Sequence, residues 1–139
     1  PYEMMLAFTS FMGQNVLERF PGLNIGYLGA GVGWIPYWLD RVDEHWGGFF
    51  GSDAPSTQAP SLLFKTQGFA SADPWEKSLP EVLAECGDRT IVWGSQYPFP
   101  EVASIFPNEL DAIINEQLLT EEQKQAILWK NAATLFGIS

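Results

Sequence analysis

The sequence predicts an α/β fold in which a small parallel sheet is flanked by helices. Three observations lead there. Short apolar runs alternate with longer segments whose apolar residues recur every three or four positions. Glycine or proline stands at most of the junctions between them. The resulting order, α-β-α-β-α-β-α-α, suits parallel strands joined by right-handed crossovers.

The first helix is expected over Glu3–Phe20, with Met4, Met5, Phe8, Phe11, Met12, Val16, Leu17 and Phe20 mostly on one face, and Pro21-Gly22 ends it. Leu23–Leu28 reads as a short strand and leads into the loop Gly29-Ala30-Gly31-Val32-Gly33. The second helix runs over Trp34–Trp46, carries Pro36 in its first turn, and stops at Gly47-Gly48. Phe49–Ser61 reads as a surface loop, and Leu62–Thr66 begins another short element. Gly68–Ser71 is a weak strand candidate, followed by a turn in which Asp73 is a candidate N-cap. A helix from Ser78-Leu79-Pro80 to Cys86 ends at Gly87, and Thr90–Trp93 is the third strand. After a proline-marked loop, Tyr97–Pro107, come helices near Glu109–Gln117 and Glu121–Trp129, and apolar spacing continues through the tail Asn131–Ile138. Thr120-Glu121-Glu122-Gln123 matches a capping box. No domain boundary is indicated, so residues 1–139 are read as one domain.

Composition narrows the function. Seventeen acidic against seven basic residues give a formal charge of -10, which repels nucleic-acid backbones and anionic membranes. The chain has no apolar run long enough to span a bilayer and no opening secretory pattern. A single cysteine, Cys86, forms no intrachain disulfide and fits a reducing compartment, so a cytoplasmic location is expected. The first residue is Pro1, so the chain reads as processed or as an excerpt of a longer protein.

Four segments carry a resemblance, in order: Val16-Leu17-Glu18-Arg19-Phe20-Pro21-Gly22-Leu23, Gly33-Trp34-Ile35-Pro36-Tyr37-Trp38-Leu39-Asp40-Arg41, Val92-Trp93-Gly94-Ser95-Gln96-Tyr97-Pro98, and Lys130-Asn131-Ala132-Ala133-Thr134-Leu135-Phe136-Gly137. Together they resemble the C-terminal part of an amidohydrolase-2-type (β/α)8 barrel, the group that includes carboxymuconate-semialdehyde-type decarboxylases. The first segment is similar to the turn into the sixth strand and the third to the eighth strand, whose usual form is G-S-D-Y-P-H. The resemblance implies a partial TIM barrel of about three parallel strands. It also implies metal-dependent hydrolysis or decarboxylation of small carboxylated or cyclic substrates.

In that family zinc or another divalent metal is held by a His-x-His after the first strand, a His near the fifth and an Asp after the eighth. The metal acidifies a water and the Asp handles a proton. Here Gln96 stands at the Asp position, Phe99 at the following His, and Gly29 where relatives often carry an acid or histidine. A carboxamide is a weak metal ligand and no general base. The expected chain is therefore catalytically impaired by itself, with no metal ligands and no cofactor of its own. The substrate-binding candidates are Gln96, Tyr97, Trp75 and Trp34.

Other candidates weigh less. His45 is the sole histidine and sits in a helix's last turn, where a cation is favoured. The glycine loop lacks the third glycine of a dinucleotide turn, since Trp34 occupies its place, and a tight strand-to-helix turn explains it better. Ser95 lacks a nucleophile elbow, and Cys86 lies between the acids Glu85 and Asp88. Trp34, Trp38 and Trp46 share a helical face, where core packing is the first explanation; Trp93 and Trp129 read the same way, and Trp75 is the aromatic most suited to face a ligand. Two further readings stay open. One is a subunit or domain of an active enzyme, its barrel and ligands completed by a partner chain or a missing N-terminal half. The other is a non-catalytic interaction module whose uncovered sheet edges and aromatic faces seek a partner or a second copy.

Overall fold

The computed structural model describes residues 1–50, 53–99 and 108–138, without the side chains of 49 and 50. Three parallel strands lie in the order β1 (Ile25–Tyr27), β2 (Gly68–Ala72), β3 (Ile91–Trp93). The register pairs Tyr27 with Ala70 and Ala70 with Ile91. Helices α1 (Tyr2–Gly13), α2 (Val16–Arg19), α3 (Ile35–His45), α4 (Pro60–Gln67) and α5 (Leu79–Cys86) precede β3. Helices α6 (Glu109–Ile114), α7 (Glu121–Gln125) and α8 (Asn131–Phe136) close the chain. The three-stranded α/β architecture is the one expected.

Alternate residues of a strand face opposite ways, and the two faces of this sheet differ. Tyr27, Ala70 and Ile91 belong to the apolar core, and the Tyr27 ring packs against Phe8, Trp34 and Phe64. Gly26 and its partner Phe69 turn the other way. The last helix reaches that face, where a methyl built on Gly26 would lie 3.2 Å from Leu135 Cδ2. Every residue of β2 is buried, which is why a sequence lacking alternation, Gly-Phe-Ala-Ser-Ala, makes the central strand.

Two carboxamides fasten the amino ends of the outer strands. Gln67 Nε2 donates to the carbonyls of Phe20 and Leu23, each at 2.9 Å, just ahead of β1. Asn131 Nδ2 donates to the carbonyls of Asp88 and Ile91, each at 2.6 Å, at the start of β3. Both side chains are buried, so each uses donors that would otherwise be stranded.

Several elements depart from the sequence expectation. The long first helix breaks after Gly13, because Asn15 adopts a left-handed conformation (φ 51°) and α2 starts afresh. Gly47-Gly48 does not end the second helix; the chain continues as a π-turn over Trp46–Phe50 while the Trp46 indole donates to Ser56 Oγ at 2.9 Å. The predicted loop and short element around Ser61 and Leu62 give way to α4, which starts at Pro60, where a missing N–H is harmless. Asp73 caps no helix, since α5 follows Ser78. The helix of Glu121–Trp129 passes through a second π-turn, Ala126–Lys130, straight into α8. The Thr120–Gln123 capping box is present. Of the loop Tyr97–Pro107, residues 100–107 lie outside the described residues.

Candidate functional site

Parallel strands bring their carboxyl ends to one side, where barrels of this class place their chemistry. Three short segments meet there: Leu28-Gly29 after β1, Asp73 after β2, and Gly94-Ser95-Gln96 after β3. Gln96 is left-handed (φ 58°), and its backbone carbonyl accepts the Phe99 N–H at 2.9 Å across the turn holding the cis Tyr97–Pro98 bond. The Gln96 side chain points back over the sheet, and its Nε2 donates to Asp73 Oδ1 at 2.7 Å. Its Oε1 lies beside Gly29, 3.7 Å from where a Cβ would stand. The Gly29 N–H donates to Ser71 Oγ at 2.7 Å, which ties the end of β1 to β2.

Next to this corner one carboxylate gathers the backbone. Glu76 accepts from the Val32 N–H (2.7 Å to Oε1, 2.9 Å to Oε2), the Gly33 N–H (2.9 Å) and the Asp73 N–H (3.0 Å). The glycine loop is a concavity of N–H groups of the kind that binds anions, and Glu76 fills it from within. The tight-turn reading of this loop therefore accounts for its glycines.

The four substrate-binding candidates divide. Gln96 sits at the strand ends. Tyr97, which follows Gln96, and Trp75, two residues after Asp73, expose 60% and 49% of their surface, and Trp75 lines a cleft of about 140 Å³ with Asp73, Lys77, Ile113 and Glu116. Trp34 is only 7% exposed; its indole donates to the Gly31 carbonyl at 2.9 Å and its ring packs edge-on to Tyr27. Phe99, at the position of the histidine that closes the resembling eighth-strand motif, is exposed.

His45 stands at the far end of α3, roughly 15 Å of helix from the strand ends, with Nδ1 at 2.9 Å from the Arg41 carbonyl. Ser95 Oγ accepts the Tyr97 N–H. Cys86 is buried, and that burial pushes its thiol up to about 11, away from reactivity.

A divalent metal does not fit this donor set. Among the described residues no three His, Cys, Asp or Glu side chains cluster closely enough to hold one. Among the described residues the strand ends offer the Asp73 carboxylate and the neutral Gln96 amide, and the neighbouring Glu76 carboxylate is taken up by backbone N–H groups.

The sequence reading takes Asp73 only as an N-cap candidate and passes over Glu76. Asp73 carries a signal that was available, since it follows a strand directly, where this fold keeps its functional groups. The bonds of Glu76 to Val32 and Gly33 carry none, because those partners lie 44 and 43 residues away, whereas its bond to the Asp73 N–H spans three residues.

Comparison with known proteins places the arrangement. No curated protein matches the chain. Among solved structures it is similar to an amidohydrolase of Mycobacterium avium subsp. paratuberculosis (TM-score 0.79, 19% identity, covering 94% of this chain and 32% of that one). It is also similar to a dihydroxybenzoic acid decarboxylase of Polaromonas sp. with bound manganese and 2-nitroresorcinol (TM-score 0.76, 20% identity, 96% and 40%). A third is the 5-carboxyvanillate decarboxylase of Sphingomonas paucimobilis (TM-score 0.71, 24% identity, 93% and 38%). The chain thus spans 32 to 40% of the length of these three proteins. The amidohydrolase family model matches residues 2–138, and the chain belongs to that family as three strands and flanking helices of its TIM barrel.

Proposed function

We propose that residues 1–139 form the C-terminal part of an amidohydrolase-type barrel whose strand ends bind a small carboxylated or cyclic substrate through hydrogen bonds, and that this chain alone does not perform the family's metal chemistry. The observation that carries the reading is the Gln96 amide at the strand ends, its nitrogen committed to Asp73 at 2.7 Å, at a position which by resemblance is the family's metal-site carboxylate. Committing Nε2 fixes the amide and leaves Oε1 as an oriented acceptor for a ligand hydroxyl or N–H. Tyr97 and Trp75 supply exposed aromatic surface for a ring. The decarboxylases among the similar structures make aromatic acids the first substrates to try.

The test is the metal content of the purified chain by elemental emission after dialysis against zinc and then metal-free buffer. Fewer than about 0.1 ion per chain is expected, since a catalytic zinc needs about three protein ligands. Close to one ion per chain would overturn the reading.

One observation favours a second reading, a barrel completed by another chain. Among the described residues β1 and β3 each pair on one side only, and Leu28 and Tyr97 beyond their ends are exposed. Sedimentation equilibrium decides it: a monomer across the micromolar range removes self-association from consideration.

A further inference from the structure

We propose that Glu76 is the positioning residue of the strand-end site: one carboxylate, received by backbone amides of both flanking loops, sets where Asp73 and Gln96 stand. The functional consequence rests on reading the strand ends as a ligand site, whereas the geometry is tested without any ligand. Failure of one is therefore distinguishable from failure of the other.

The connections run in sequence. Trp34, anchored in the core, holds the Gly31 carbonyl at 2.9 Å. Glu76 holds the next two amides, Val32 and Gly33, and with Oε2 also the amide of Asp73. Asp73 in turn holds the Gln96 amide. The loop after β1, the loop after β2 and the turn after β3 thus share one network.

The approach is close enough to constrain the sequence. A Cβ on Gly31 would lie 2.6 Å from Glu76 Oε1, and one on Gly33 would lie 2.9 Å from Ser78 Oγ. The charge and the symmetry of the group matter as well. Three N–H donors converge on two oxygens, and a carboxylate meets all of them as acceptors. A carboxamide would turn an N–H toward one of those donors. Glutamine at this position is therefore disruptive despite its matching shape.

The experiment is amide NMR on the 139-residue chain and its Glu76→Gln variant. The Val32, Gly33 and Asp73 amides are expected to exchange with solvent about tenfold faster or more in the variant, as lost charge-assisted bonds require. The two Gln96 Nε2 protons are expected to shift in the same variant toward values of a solvated amide. A loop brace with no positioning role would move the three backbone amides and leave the Gln96 protons in place, which overturns the proposal. Unchanged backbone amides overturn it too. If the variant does not fold, the unsubstituted chain gives the answer. Val32, Gly33 and Asp73, sharing one carboxylate, should exchange at a common rate, and rates spread over more than about tenfold contradict the shared anchor.

Discussion

Asn131 shows what a single side chain can hold. Both of its amide hydrogens are spent on carbonyls at the head of β3, in a site only 5% exposed. Asn131→Ala leaves both carbonyls without those donors, and chemical denaturation should record a loss of about 2–4 kcal/mol. Asn131→Asp should be worse at neutral pH, because a carboxylate would face two carbonyl oxygens. Gly31 (φ 65°) and Gly137 (φ 65°) make a second comparison, since both are left-handed but only Gly31 has Glu76 against it. Gly137→Ala should cost about 1 kcal/mol for its backbone alone, and Gly31→Ala clearly more. Burial pushes the Cys86 thiol up from an ordinary 9.0 to about 11, with Lys65 opposing and Glu85 adding a smaller upward push. A thiol held neutral by the fold supports it fully below pH 9 and loses that support as pH rises toward 11. Tyr27, also raised by burial, adds to the same alkaline loss. Stability should therefore fall between pH 9 and 11, and Cys86→Ala should flatten the early part of that fall.

At the scale of elements, α2 is short but tethered. Glu18 accepts from the Thr57 hydroxyl and backbone and from Asn15 Nδ2, and these bonds lower its pKa from the ordinary 4.5. Such a carboxylate helps the fold above its ordinary value and stops helping as pH falls through its lowered one. Thr57→Val should reduce the acid sensitivity of the segment joining α2 to α4, read by amide chemical shifts below pH 5. Elements whose cause lies within a few residues were legible: α5 with its proline start and glycine stop, and α7 with its capping box. Elements governed by distant partners were less so. The Trp46–Ser56 bond carries the chain past two glycines, and the strand read weakly over Gly68–Ser71 forms over Gly68–Ala72 because both its faces are buried. Gln96 and Trp75 were candidates from local motif and turn, whereas the bonds of Glu76 to Val32 and Gly33 needed the folded chain to bring the partners together.

For the whole molecule, the property left unbalanced by the fold is charge. With a net -10, repulsion acts across the surface at low ionic strength. Raising salt from about 10 mM to 150 mM should lift Tm by roughly 2–4 °C, on the order of 1 kcal/mol for a domain of this size. Gln96→Asp tests the site against the same background. It sets a second carboxylate beside Asp73, so the folded chain should lose stability in chelator and regain it on addition of manganese, read by thermal melting.

The carboxamide fastenings at the amino ends of β1 and β3 lie opposite the segments that carry Gln96 and Asp73. Foldability and the proposed ligand site are thus written on separate poles of the sheet. A lineage could exchange a metal-binding acid for glutamine without disturbing the residues that keep the strands in register. A laboratory could use the same separation. A randomised library confined to residues 95–99, with Gln67, Asn131 and Glu76 left intact, should yield mostly folded members from which new binders can be drawn.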